Sequence, residues 1–368
     1  MSSASAAKIH WFARLEHRFH VWRERRARRR GRSATIVPFP GYGGTGWVRV
    51  TGRVLIVPPP PKRARGEGAG VRGWRAFVGI PVSFASVQVH LGGRTHDVVA
   101  DRGGVVDTVI EAHLEPGWQT FTMSVEGREP VEAAVFVVGD DARFGVVCDV
   151  DDTVMVTALP RPFIAAWNSF VLDEHARTPV PGMAVLLEQL RRDHPGAPVI
   201  YLSTGAWNIA PTLRRFLSRN LFPAGAMLLT DWGPTHDRWF RSGREHKAGN
   251  LRRLAAEFPD VRWLLIGDDG QHDEIIYSEF LEEHPDSVAG VAIRRLLPAE
   301  AVLAGGRATV EHSADSVPWV SAEDGAGLRD LLGEAGIIDP SRSRARQIRP
   351  DSARGRGRVS PSSPRAGP

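Results

Sequence analysis

From about residue 144 onward, short apolar runs alternate with longer stretches of helical spacing. Gly145–Cys148, Val199–Leu202, Met227–Leu229, Trp263–Ile266 and Val288–Ile293 are almost wholly apolar, as strands buried on both faces are. Val185–Arg191, Ile209–Arg219, Leu251–Phe258 and Glu274–Glu282 separate or follow them with apolar residues at helical intervals, and Gly325–Leu332 supplies a last helix. Strand–helix alternation of this kind predicts a Rossmann-like α/β fold with a doubly wound parallel sheet. Such a sheet binds its ligands beyond the carboxyl ends of its strands, so the residues that follow each run are the ones to read for chemistry.

The preceding stretch has a different period. Val87, Val89 and Leu91 alternate with Ser86, Gln88 and His90, and Phe121, Met123 and Val125 alternate with Thr120, Thr122 and Ser124. Further β-rich runs lie at Trp47–Val57, Val105–Leu114 and Val131–Val138. This predicts a small all-β sandwich. Gly41-Tyr42-Gly43-Gly44-Thr45-Gly46 has dinucleotide-loop spacing but precedes a strand-like run, so it reads as a glycine turn. The expected organisation is a basic amphipathic helix over residues 1–33, the β-sandwich over 34–141, the α/β domain over 142–339 and a disordered Arg/Ser/Pro/Gly tail over 340–368.

The net charge of +5 is a sum of unlike parts. Residues 8–32 carry +8 and residues 340–368 carry +7, which leaves −10 for the remainder. That pattern differs from the uniformly basic surface of a nucleic-acid binder. In the predicted N-terminal helix, Trp11, Phe12, Leu15, Phe19 and Trp22 form an apolar stripe beside the arginines from Arg23 to Arg32. It suits either an anionic membrane surface or packing on the protein itself. The single cysteine, Cys148, forms no internal disulfide, and no apolar run has the length of a membrane span or a signal peptide. A cytoplasmic location is expected, possible attachment to the inner face of a membrane included.

Reactive residues follow three of the predicted strands. The first ends in Asp149-Val150-Asp151-Asp152-Thr153, the next in Ser203-Thr204-Gly205, and Trp263–Ile266 ends in Gly267-Asp268-Asp269-Gly270. Lys247 is expected to open the helix feeding that last strand, and it is the only lysine of residues 142–339. Clustered carboxylates repel one another unless a cation lies between them. An all-oxygen set suits magnesium, and the cluster has no Cys or paired-His set for zinc.

In this order the motifs resemble the haloacid dehalogenase superfamily of phosphohydrolases. Asp149 to Thr153, Tyr201 to Trp207, Thr230-Asp231-Trp232-Gly233, His246-Lys247 and Gly267 through Tyr277 are similar to the catalytic domain of actin-patch-type phosphatidate phosphatases. The preceding β-rich region fits bacterial members. The resemblance implies Asp149 as nucleophile, Asp151 as general acid and base, and Lys247 as the cation of the transition state. It implies phosphate binding by Ser203, with Thr204 and Thr153 beside it. It places magnesium on Asp149, the Asp151 carbonyl and Asp268. Asp269 stands where the family often has serine and is a further candidate ligand. Asp273 is either a ligand through water or a helix cap. His246 and His272 flank the motifs without metal spacing, and Cys148 reads as an inert core residue.

The expected activity is magnesium-dependent hydrolysis of phosphatidate or a related lipid phosphate to diacylglycerol and phosphate. The alternatives are a soluble or protein-linked phosphomonoester as substrate, or a nucleic-acid-associated scaffold that uses the basic ends. Leu159–Ile164 with Trp167 is a candidate flap over the site, or packs on the sheet.

Overall fold

The computed structural model describes residues 26–27, 29–57, 79–156, 178–230, 236–270, 272–298, 300–301 and 317–339, with backbone alone for 236–242. The expected N-terminal aromatic stripe, the flap Leu159–Trp167, residues Asp231–Gly233 and the basic tail lie outside the described residues.

Eight strands come first: β1 (Ala34–Gly44), β2 (Trp47–Ile56), β3 (Ile80–Pro81), β4 (Ser86–Leu91), β5 (Arg94–Val99), β6 (Val105–Glu111), β7 (Gly117–Val125) and β8 (Val131–Val138). They join in the order β3-β2-β1-β8-β7-β4-β5, and β6 also pairs with β2. One edge of β2 follows β1. The other takes β6 along Trp47–Arg53 and then β3 at Leu55–Ile56. Hydrogen bonds thus link all eight strands into one branched ladder. Its period-two alternation is clear in β4, where Val87, Val89 and Leu91 are buried while Ser86 and Gln88 are exposed. These valines share one core with Val98 of β5 and with Val106 and Ile110 of β6.

Gly41 to Gly44 are not the expected turn. They end β1, and Thr45–Gly46 make the turn. A Cβ on Gly41 would lie 2.2 Å from the Arg49 carbonyl oxygen. Glycine there lets β1 and β2 close up across the register shift between Phe39 and Tyr42.

The second sheet is wholly parallel. It holds β9 (Phe144–Asp149), β12 (Val199–Ala206), β13 (Ala226–Thr230), β14 (Arg262–Asp268), β15 (Val288–Arg294) and β16 (Trp319–Ala322). A two-stranded pair, β10 (Met155–Val156) with β11 (Thr178–Pro179), brackets residues 157–177. The sheet order β13-β12-β9-β14-β15-β16 reads 3-2-1-4-5-6 in chain sequence, the order of doubly wound nucleotide-binding sheets. The order in which the chain adds strands reverses between β9 and β14, so Asp149 and Asp268 end the two strands that flank the crevice.

Alternate residues of each strand face opposite layers. Val146, Cys148, Tyr201 and Leu264 lie with α1 (Met183–Asp193), α2 (Ala210–Arg219) and, later in the chain, the helix Gly325–Glu334. Val147, Ile200, Leu202 and Leu265 lie with α3 (His236–Glu257) and α4 (Asp273–Glu283). The helix Gly325–Glu334 is α5, capped by Asp324, whose carboxylate accepts from the Ala326 and Gly327 amides. The α3 helix starts at His236, so Lys247 lies well inside it and does not open it.

The two sheets pack on each other. Tyr42 and Val138 belong to the same core as Leu251, Leu254 and Phe258 of α3 and its end. The Tyr42 hydroxyl donates to Glu257 at 2.6 Å, and Arg49 donates to Glu257 at 2.6 Å and to Asp107 at 2.7 Å. Phe39 of β1 stacks on Trp207 with ring centroids 4.7 Å apart. Among the described residues no helix is long and apolar enough to cross a membrane.

Candidate active site

Asp149 ends the central strand β9 and is buried. Strands β12 and β14 pair with β9 on either side, and this brings the other motif residues to the same edge. One carboxylate oxygen each from Asp149, Asp268 and Asp273 lie within 4.8 Å of one another. Lys247 reaches this trio from α3. Its Nζ stands 2.6 Å from Asp149 Oδ1 and 2.5 Å from Asp273 Oδ1. Burial by itself would strip the charge from this amine, but the carboxylates of Asp149, Asp273 and Asp268 outweigh it and raise the pKa above the ordinary lysine value. Burial, reinforced by Asp273, Asp268 and Asp151 and opposed by Lys247, holds Asp149 well above the usual carboxylate range.

Three buried carboxylates thus share one ammonium. Asp149 Oδ2 and Asp273 Oδ2 are buried without a hydrogen-bond partner among the described residues. Two orphaned anionic oxygens in an all-oxygen set are what a site for a hard cation requires, so the trio could hold a metal ion.

The neighbouring residues are also fixed. Ser203 is fully buried in β12, one residue past the Leu202–Asp149 pair; its hydroxyl donates to Asp151 Oδ2 at 3.0 Å and accepts from the Gly205 amide at 2.9 Å. Asp151 therefore keeps its carboxylate with Ser203, outside the metal trio. The Thr204 carbonyl accepts from Thr230. Thr153 is wholly buried in the loop, and its hydroxyl has no partner among the described residues.

The second acidic motif divides differently from the expectation. Asp268 accepts from the Gly270 amide at 2.7 Å and joins the trio. Asp269 does not. Its amide donates to the Arg294 carbonyl at 2.9 Å, and its Oδ1 accepts from the Leu296 amide at 2.8 Å, so its carboxylate is tied to the end of β15. Asp273, in the first turn of α4, takes the place expected for Asp269. The sequence left Asp273 open between a ligand through water and a helix cap; in the structure Gly267 makes room for it, since a Cβ there would lie 2.6 Å from Asp273 Oδ2. Only glycine leaves that carboxylate in its position. Arg294 is a residue that sequence reasoning missed altogether, one arginine among 44.

The histidines stay peripheral. His246 lies beside Lys247 in α3, and burial lowers its ring from 6.5 to about 4. His272 occupies the N-cap position of α4. Cys148 is buried and its thiol is raised well above its ordinary value, chiefly by burial, so it is inert at neutral pH.

The parallel sheet with acids at its switch point and a buried lysine resembles a phosphatase domain of the haloacid dehalogenase type. Residues 144–295 match the family model described as phosphatidate phosphatase APP1, catalytic domain. The resemblance read from the motifs is thereby borne out at the level of the family. A curated relative, phosphatidate phosphatase APP1 of Saccharomyces cerevisiae, is 21% identical over 236 residues, 64% of this chain and 36% of that protein. An uncharacterized protein of Schizosaccharomyces pombe is 22% identical over 160 residues, 43% of this chain and 26% of that one. The chain spans about a third or less of the length of these relatives. Among solved structures, the HAD domain of the effector Lem4 from Legionella pneumophila superposes with a TM-score of 0.29 at 13% identity, over 43% of this chain and 88% of that one. That score is too low to imply a shared fold, and it is the strand order that assigns the sheet to its class.

Proposed function

We propose that this protein hydrolyses phosphomonoesters through a phosphoryl-enzyme formed on Asp149, and that a lipid phosphate of the phosphatidate type is its substrate. The observation that carries this reading is the placement of Lys247 between Asp149 and Asp273, beside a second acid, Asp151, that is held by Ser203. A nucleophilic carboxylate with its own buried cation, and a separate proton donor nearby, is the equipment of a phosphoaspartate phosphatase. The name of the yeast relative supports the substrate class.

In the first transfer an oxygen of Asp149 bonds to phosphorus as the bond to the leaving oxygen breaks. Asp151 gives its proton to that oxygen, so the alcohol departs neutral. In the second, Asp151 takes a proton from water as the water attacks phosphorus, and the Asp149–phosphate bond breaks to release phosphate. Lys247 opposes the burial that raises Asp149 and offsets the charge of the phosphoryl oxygens. Ser203 orients Asp151 and, with Thr204 and the amides that follow, lies where a phosphoryl oxygen would be bound. Magnesium is the cation we assign to Asp149, Asp268 and Asp273, with the Asp151 carbonyl. When bound it supplies positive charge against the carboxylates and the phosphoryl oxygens. The basic segment 1–33 and the tail 340–368 would bring the enzyme to the anionic inner face of a membrane.

The test is phosphate release from phosphatidate vesicles in magnesium, with p-nitrophenyl phosphate as a soluble control. We expect the wild type to act on both and Asp149→Asn on neither. Equal activity of the two proteins would refute Asp149 as nucleophile. Activity on the soluble ester alone would move the substrate out of the lipid class. Removal of residues 1–32 should spare the soluble ester and weaken vesicle binding.

A further inference from the structure

Arg294, the last residue of β15, is almost completely buried, with 3% of its surface exposed. Its guanidinium donates to three separate segments. Nη1 donates to the Asp152 carbonyl at 2.7 Å, Nε to the Glu323 carbonyl at 3.2 Å, and Nη2 to both Glu300 carboxylate oxygens at 3.0 and 2.8 Å. Glu300 supplies the countercharge. The planar fork of arginine can serve three directions at once, which the compact ammonium of lysine cannot.

The Asp152 carbonyl belongs to the turn that presents the nucleophile loop. Asp152 has φ of 60°, in the left-handed region, although it is not glycine. Aspartate tolerates this region better than most residues, yet it stays there only where its surroundings hold it. Within the turn the Asp152 amide donates to the Met155 carbonyl at 2.9 Å, and the Val154 amide to the Val150 carbonyl at 3.0 Å. Arg294 holds the turn from outside. The same short segment holds the second acidic loop, since the Arg294 carbonyl and the Leu296 amide are the two partners of Asp269 described above.

We propose that Arg294 is a positioning residue for the reaction. It ties the loop Asp149–Thr153 to the loop Asp268–Asp269, and so fixes where Asp151 stands relative to Asp149 and the leaving oxygen. This rests on the phosphoaspartate reading above. Loss of the tie displaces the proton donor more than it weakens substrate binding, because the phosphate-binding end of β12 has no bond to Arg294 among those described.

Proton donation matters most for a poor leaving group. The test therefore compares two magnesium-supported substrates, p-nitrophenyl phosphate and the alkyl ester glycerol 3-phosphate, with wild type, Arg294→Lys and Asp149→Asn. We expect folded Arg294→Lys to keep KM within about threefold, to lose about tenfold in kcat on p-nitrophenyl phosphate, and to lose about tenfold more again on the alkyl ester. Hydrogen exchange in residues 150–156 should quicken. A folded variant with unchanged kcat, or with equal losses on both esters, overturns the proposal, because a purely structural role lowers both alike. Should Arg294→Lys fail to fold, Glu300→Gln loosens the same guanidinium and is read by the same two-ester comparison. Activity in Asp149→Asn would refute the phosphoaspartate reading and the tie with it. An inactive Asp149→Asn beside an Arg294→Lys without differential loss refutes the tie alone.

Discussion

The hydroxyl of Ser203 donates to the carboxylate of Asp151 at 3.0 Å, across 52 residues of sequence. The end of one strand thereby holds the acid that follows its neighbour. Ser203→Ala removes this donor and leaves the buried Gly205 amide without its side-chain acceptor. We expect kcat to fall by about 10- to 100-fold and stability by about 1–2 kcal/mol. Steady-state kinetics and urea unfolding check the two parts separately.

Metal binding should follow the trio and bypass Asp269. Magnesium that binds only the folded protein raises its stability, by about 2.7 kcal/mol at a hundred times its dissociation constant. Thermal unfolding with and without magnesium should show that gain in wild type and Asp269→Asn. Asp268→Asn and Asp273→Asn should lose most of it. An equal gain in all four proteins would place the ion elsewhere.

Lys247→Met leaves the buried carboxylates of Asp149 and Asp273 without their ammonium. Removing one partner of a buried ion pair typically costs about 3–5 kcal/mol. We expect destabilisation of that order in the absence of metal and a fall in kcat of at least about 100-fold with it. Differential scanning calorimetry and phosphate-release assays measure both. Lys247→Arg should not restore activity, since the guanidinium needs more room than the cleft between Asp149 and Asp273 provides.

His246 makes stability depend on acid. Its folded pKa is about 4 against an ordinary value of 6.5, because burial disfavours the charged ring. Between those values the unfolded chain binds a proton that the folded chain refuses. The stability contributed by the neutral ring is complete above the unfolded pKa and is lost as pH falls toward the folded one. We expect this residue to account for about 2 kcal/mol of loss between about pH 7.5 and pH 5. His246→Gln should shrink the difference between urea curves taken at those two pH values.

Much of this site was legible because each motif directly follows an apolar run. Asp149, Ser203 and Asp268 could be placed at strand ends from the sequence because a buried strand leaves its first polar residue at the sheet edge. The start of α3 was not legible. Residues 236–247 carry few apolar residues at helical intervals, so the helix became visible only at Leu251, and Lys247 was placed at its opening instead of inside it. The four residues of β16 were too few for a period to show. Asp269 and Asp273 are indistinguishable as letters. The turn after β14 separates them by pointing one carboxylate at the Leu296 amide and the other at Lys247. The branch at β2 was hidden for a related reason: alternation reports which face is buried and says nothing about which strand lies alongside.

The clasp of Tyr42 and Arg49 on Glu257 has a consequence for how such a chain can be cut or recombined. Glu257 ends the helix that carries Lys247, and the aromatic rings of Tyr42 and Trp47 cover Phe258 just beyond it. A fragment trimmed to the family-matched span would shed that cover and leave a greasy, half-charged scar behind the lysine helix. A donor sequence grafted in place of the first sheet would have to bring its own phenol and guanidinium in the same register. The first sheet is in this sense a fitted cover for the helix that carries Lys247.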